Sequence, residues 1–231
     1  MKRIGLVGGL GPESTLDYYR LIIQAFRERR SPDYPEIVVY SANLTEGLKL
    51  MEARQPEPLV DWLLHKIEAL HRAGAELAAI CSNSPHVVFD EVQRRSPLPL
   101  VSIVESARDE AATRGSQRPG LLGTAFTMQA DFYPETFRNR GMQMVVPPAE
   151  DQALIHRKIF SEIELGIFKD ETRDQLLGVV ERMIRRDGID ALVLGCTELP
   201  LILTKDEFGI PFLNTTAVHV DAIVSASLPG R

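Results

Sequence analysis

Apolar residues are spaced along the chain in two rhythms. Short unbroken runs read as buried strands, and longer stretches with a period near 3.6 read as helices. Arg3-Ile4-Gly5-Leu6-Val7-Gly8 is a strand of the first kind. Pro12-Glu13-Ser14 opens a helix, with proline suited to its first turn, and Leu16, Tyr19, Ile23 and Phe26 recur at helical spacing within it. Glu36 to Ser41 predicts a second strand. Leu59, Leu63, Ile67 and Leu70 mark one face of a helix that Gly74 ends. Leu77 to Cys81 and Pro99-Leu100-Val101 predict two further strands.

The pattern then restarts. Gly120 to Gly123 is a strand, Thr127 to Arg140 a helix, and Met142 to Val146 a strand. Helices are expected over 150–166 and 171–187, strands over Ala191 to Leu194 and Pro211 to Leu213, and a last helix over Thr216 to Leu228. Strands alternating with helices imply parallel sheets covered on both faces.

The restart is an internal repeat. Arg3 to Gly9 lies over Arg118 to Thr124 at an offset of 115, His71 to Glu76 over Arg185 to Asp190 at 114, and Pro99-Leu100-Val101 over Pro211-Phe212-Leu213 at 112. The expected architecture is therefore α/β, with two pseudo-symmetric lobes of about equal size. Each is a parallel sheet flanked by helices, with an active-site cleft between them. The boundaries are 1–115 and 116–231, and the C-terminal helix is free to cross back and pack on the first lobe.

Composition narrows the function. With 231 residues, 44% hydrophobic and 25% charged, the chain has globular values that argue against disorder. The 26 Lys and Arg against 32 Asp and Glu give a net charge of −6. A net-acidic chain without a basic run is a poor partner for nucleic acid or an anionic membrane. Two cysteines form neither a disulfide framework nor a zinc pattern, and the five histidines show no paired metal spacing. No stretch reaches 18 apolar residues and the N-terminus is no signal peptide, so a cytoplasmic protein is expected. Gly9-Leu10-Gly11 follows a strand, as in a dinucleotide site. Ser14 takes the place of the third glycine, however, and no acidic residue ends strand two. That turn reads better as the lining of a substrate cleft, with Leu10 as an apolar wall.

Extending the repeat eight residues past Gly74 and Gly188 aligns Ser82 with Cys196. Ala79-Ile80-Cys81-Ser82-Asn83-Ser84 lies over Val193-Leu194-Gly195-Cys196-Thr197-Glu198, each a strand running into a small polar turn. Ligands of parallel sheets sit at such strand ends. Backbone N–H groups at the helix starts that follow would favour a carboxylate. Asn83, Ser84, Thr124 and Thr197 add neutral donors, so a small carboxylate ligand fits. Cys81 points to the opposite face from Ser82 and reads as a buried core thiol.

Gly8-Gly9-Leu10-Gly11-Pro12, Ser82-Asn83-Ser84-Pro85-His86, Leu122 to Met128, Asp131-Phe132-Tyr133, Gly195-Cys196-Thr197-Glu198 and Asn214 to His219 occur in order over nearly the whole chain. Together they resemble the aspartate/glutamate racemase family. The resemblance implies two pseudo-symmetric lobes, no cofactor, no metal and a homodimer. It also implies inversion of an amino-acid α-carbon by two opposed groups, usually cysteines in Cys-Asn-Thr and Gly-Cys-Thr turns. Here the first turn reads Ser-Asn-Ser, and the four-residue step to His86 puts Ser82, not Cys81, at the family's first position.

A thiol has a reference pKa near ~8.5 and serves as a base where its surroundings favour the thiolate. A serine hydroxyl can donate a proton but is a poor general base. Cys196 is thus expected to be the base and Ser82 the opposing donor, with L-to-D turnover kinetically favoured. Glu198 stands where glutamate racemases carry a histidine, which points to the aspartate or broad-specificity branch. Arg54 or Lys49, in the segment 43–58, is a candidate for a second substrate carboxylate. His86 and His219, near strand ends, are candidates to orient site groups. Two alternatives stay open: a single-thiol decarboxylase or isomerase of a dicarboxylate, and a non-catalytic amino-acid-binding protein.

Overall fold

Every residue of the first strand, β1 (Ile4–Gly8), is buried, as a strand covered on both faces requires. In the computed structural model, which describes residues 1–29 and 33–229, β1 is followed by α1 (Pro12–Glu28), β2 (Ile37–Ser41), α2 (Leu44–Glu52), α3 (Pro56–Arg72) and β3 (Leu77–Ile80). A 3-10 turn (Ser84–Val88), α4 (Phe89–Arg95) and β4 (Leu100–Val101) come next. The four strands form a parallel sheet in the order β2-β1-β3-β4, with Val7 opposite Ile80.

Strand alternation sorts the side chains of this sheet onto two cores. Val7, Ala78 and Ile80 join Leu59, Leu63, Ile67 and Leu70 of α3 on one face. Ile4, Leu6, Leu77, Ala79 and Cys81 join Tyr18, Ile22 and Phe26 of α1 on the other, together with Val220, Ile223 and Val224 of the last helix, Thr215–Ser227. That helix packs on the first sheet although it follows the second in sequence. The chain accordingly divides into one compact unit of Met1–Ile103 with Thr216–Arg231, and another of Val104–Thr215.

The stripe that α1 buries is Ser14, Tyr18, Ile22 and Phe26. Leu16 and Tyr19, expected on the inner face, are 68% and 53% exposed. Both spacings fit a helix, and contact with the sheet selects the strict four-residue set.

The second unit contains α5 (Ile103–Thr113, whose first residue is the last of the first unit), β5 (Pro119–Gly123), α6 (Ala125–Gln129), α7 (Phe132–Arg138), α8 (Ala149–Ser161), α9 (Asp170–Asp187), β6 (Ala191–Gly195) and β7 (Phe212–Asn214). Its strands are parallel in the order β5-β6-β7. Three expectations are corrected here. The single helix over Thr127 to Arg140 is two, because Pro134 has no N–H and its ring would clash with the carbonyl of Ala130 in a continuous helix. Met142 to Val146 pairs with β5 through a single bridge, Gly120 to Val145, since Pro147 and Pro148 end its supply of donors. The helix expected over 150–166 stops at Ser161. A 3-10 turn (Ile163–Leu165) follows, and Gly166 at φ 72° closes it.

Asp190 fastens the start of β5 to the start of β6. Its carboxylate accepts hydrogen bonds from the Ser116 hydroxyl, from Gln117 N–H at 2.7 Å and from Arg118 N–H at 3.0 Å. Burial opposes ionisation, but these donors hold the carboxyl below its usual range. Asp190→Ala leaves three donors without an acceptor and is expected to cost about 2–3 kcal/mol, which lowers Tm by roughly 5–10 °C. An unchanged thermal transition would remove Asp190 from the account of this unit.

Candidate active site

In the first unit the site residues gather at the carboxyl ends of β1 and β3. Cys81 N–H donates to Val7 O at 2.9 Å, which carries the pairing one residue past β3 before the chain turns. Cys81 then lies in the core with α1 and the last helix, where burial raises its thiol pKa strongly. Ser82, the next residue, is half-buried. Asn83 and Ser84 are buried beside it, and the 3-10 turn, not a full helix, begins at Ser84.

His86 fixes this turn. Its Nδ1 lies 2.9 Å from Ser82 O, and its Nε2 accepts from Ile103 N–H at 3.3 Å. That assigns the proton to Nδ1. Phe89 stacks on the ring at 4.8 Å. Burial, then the neighbouring His219, lowers the His86 pKa to about 3, so the ring is neutral. His219 accepts from Tyr18 OH at 2.7 Å through Nδ1 and donates to Val101 O at 2.9 Å through Nε2. Its pKa is lowered by burial to about 4. Both histidines thus hold backbone in place. His86 holds the Ser82 turn directly, as a positioning residue.

Gly9, at φ 78°, follows β1, and a Cβ there would stand 2.4 Å from Ala42 O. This close approach brings the Gly9-Leu10 turn against the end of β2. Leu10 itself is buried in the core with Val7 and Ala42. Arg54, at φ 51°, is exposed just beyond α2. No contact among the described residues ties it to the Ser82 turn.

In the second unit β5 and β6 end side by side, with Gly123 paired to Gly195. A Cβ on Gly195 would stand 2.5 Å from Leu121 Cδ1 and 3.0 Å from Leu122 O, so glycine lets the two strand ends meet. Thr124 caps α6, accepting from Thr127 N–H at 3.3 Å. Cys196, 7% exposed, leaves the end of β6. Its thiol donates to Glu198 Oε2 at 3.2 Å, and the Thr197 hydroxyl donates to the same oxygen at 3.0 Å. Burial comes first, and the charges of Glu198 and Glu164 add to it, in pushing the thiol well above its ordinary pKa. The surroundings do not favour the thiolate, contrary to what the sequence suggested for a base.

Three residues were not recognised from sequence in these roles. From sequence Glu198 stood only as the residue in place of the glutamate racemases' histidine. It is instead 3% exposed and leads into a three-residue 3-10 turn (Leu199–Leu201), with Oε1 lacking a hydrogen-bond partner. Glu164 lies 32 residues earlier in the chain, and its influence on Cys196 is tertiary. Tyr18 lay outside the stripe read from sequence in α1 (Leu16, Tyr19, Ile23 and Phe26), and nothing local paired it with His219. Among the described residues no cluster of His, Cys, Asp or Glu could hold a metal ion, and no helix is long and apolar enough to cross a membrane.

Two parallel sheets, each ending in a small polar turn, make this an α/β protein of two units. The family model for Asp/Glu/Hydantoin racemase matches residues 7–223, and the chain belongs to that family. It is 22% identical over 231 residues to the broad specificity amino-acid racemase RacX of Bacillus subtilis, covering 97% of this chain and 98% of that one. The crystal structure of an aspartate racemase homologue from Pyrococcus horikoshii is 37% identical and superposes with a TM-score of 0.82, covering 98% and 99% of the two chains. An aspartate racemase from Picrophilus torridus, 20% identical with a TM-score of 0.81 over 98% of this chain and 94% of that one, shares the fold.

Proposed function

We propose that the protein inverts the α-carbon of an amino acid without a cofactor, with Cys196 as general base and Ser82 as the opposing proton donor. Asn83, Ser84, Thr124 and Thr197 bind the substrate's carboxylate and amino groups, and Leu10 backs the first turn. The observation that carries this reading is the matched pair of strand ends. Cys196 directly follows β6, and Ser82 follows Cys81, the residue that extends the pairing of β3, each in a turn of small polar residues. Likeness to a broad specificity racemase along the whole chain supports an amino-acid substrate.

The chemistry is uneven. Cys196 takes the α-proton from the L form as its thiolate, once the substrate ammonium offsets the neighbouring carboxylates. Ser82 then delivers a proton to the other face. In the reverse direction a hydroxyl must act as base, which it does poorly. Enantiomers have equal energy in water, so kcat/KM must be the same in both directions and the asymmetry falls on kcat. Initial rates at saturation should be about 10-fold or more higher for L than for D, with KM for D lower in proportion. Ser82→Cys should bring the two kcat values together. Chiral chromatography of initial products reads both. Equal kcat values in the wild type, both lost in Ser82→Ala, would overturn the assignment of Ser82 as a one-way donor.

A further inference from the structure

The turn after β5 is held from two sides. Thr124 directly follows β5 and caps α6, where its hydroxyl accepts from Thr127 N–H at 3.3 Å. The second hold comes from α8, which packs on α6 and β5. Ala125 N–H donates to Nδ1 of His156, a half-buried residue of α8, at 3.2 Å. The first N–H of a helix has no partner within the helix, so the imidazole takes a place that a cap or water would otherwise fill. The ring is itself fixed. Phe126 meets it edge to face with ring centres 5.8 Å apart, and Phe160, one turn along α8, does so at 4.8 Å.

Accepting at Nδ1 leaves the ring proton on Nε2. The Ala125 amide shares a rigid peptide plane with Thr124 O, so this bond fixes the Thr124 backbone, at ψ 162°. Thr124 is therefore set by His156 through its backbone and by Thr127 through its side chain. A hydroxyl that accepts from an N–H keeps its own proton to donate, and the Thr127 hydroxyl lies 3.3 Å from it. Because the Ala125 amide is engaged, carboxylate recognition at this turn falls to the Thr124 hydroxyl and not to the first N–H of α6.

We propose that His156 is a positioning residue for substrate binding: its unprotonated Nδ1 holds the Ala125 amide and so keeps the Thr124 hydroxyl where it donates to the substrate carboxylate. This rests on the racemase reading, with Thr124 as a binding group. His156 itself moves no proton.

The test is a double-mutant cycle between His156 and Thr124, read with L-aspartate and L-glutamate as α-proton exchange in D2O. His156→Phe keeps an aromatic ring between Phe126 and Phe160 but has no acceptor. It should raise KM about 10-fold with kcat little changed, as loss of a hydrogen bond to a charged group predicts. His156→Asn, whose Oδ1 stands near the place of Nδ1, should restore KM to within about 3-fold of wild type. In a Thr124→Val background, His156→Phe should raise KM no further. If His156→Phe does not fold, His156→Ala takes its place in the cycle. An unchanged KM, no rescue by asparagine, KM losses that multiply in the double variant, or a loss confined to kcat would each overturn the proposal while leaving racemisation standing. Absence of exchange by the wild type would instead remove the racemase reading. The same cycle on dissociation constants from titration calorimetry then decides the role of His156: coupled losses support it, independent losses reject it, and a wild type that binds neither amino acid rejects it as well.

Discussion

Cys196→Ala should abolish proton exchange at the substrate α-carbon, by at least about 10³-fold, in both directions. One positioned base contributes about 10²–10⁴, and inversion in either direction passes through the same thiol. The loss should fall on kcat, because substrate contacts from Asn83, Ser84, Thr124 and Thr197 remain. Glu198 keeps its bond from Thr197 at 3.0 Å, so folding is spared and Tm should move little. Cys81→Ala, by contrast, removes a core thiol on the opposite face of the first sheet. It should cost stability with kcat unaffected. Exchange that survives in Cys196→Ala would place the base elsewhere.

Acidification from pH 7.5 to 5 should destabilise the first unit by about 4 kcal/mol, through His86 and His219. Both are buried and neutral, with pKa values lowered to about 3 and about 4, against 6.5 for an unfolded histidine. The unfolded chain therefore binds protons that the fold refuses. The stability is fully present above pH 6.5 and is lost as pH falls from there toward 4 and then 3. The carbonyls of Ser82 and Val101 each accept one ring proton, but burial outweighs them. Nε2 of His86 is occupied as an acceptor by Ile103 N–H, and Nδ1 of His219 by Tyr18 OH. Denaturant midpoints measured across this range should fall steadily, and His86→Asn should roughly halve the slope. A flat profile would mean that the rings take up protons without cost, contradicting the hydrogen-bond assignment.

The two strand-end turns were legible because they follow from strand geometry. The side-chain period of two separates Cys81 from Ser82 whatever the surroundings, and the structure puts Cys81 in a core. The repeat was visible because the helices before β3 and β6 end at glycines, Gly74 at φ 91° and Gly188 at φ 65°. What could not be read depends on tertiary contact. The influence of Glu164 on the Cys196 thiol is one of charge across the folded unit. The unpaired oxygen of Glu198 and the neutral states of His86 and His219 are products of burial, which no local pattern records. In α1, Leu16 and Tyr19 carried a helical signal as good as that of Tyr18 and Ile22. Only the sheet decided between them.

The most direct test of the one-thiol mechanism is proton NMR of the wild-type protein in D2O with separate L and D enantiomers of aspartate and glutamate, following the α-proton. Once the Cys196 thiol has exchanged with D2O it can return a deuteron to the face the proton left, so deuterium should enter recovered L substrate as well as D product. From the D form the proton must first pass to Ser82. At saturating substrate the L signal should therefore vanish about 10-fold or more faster than the D signal, with both losses dependent on Cys196. Equal losses from the two enantiomers would show two competent bases and contradict the assignment of Ser82. Intact signals from all four enantiomers would contradict racemisation of these substrates altogether.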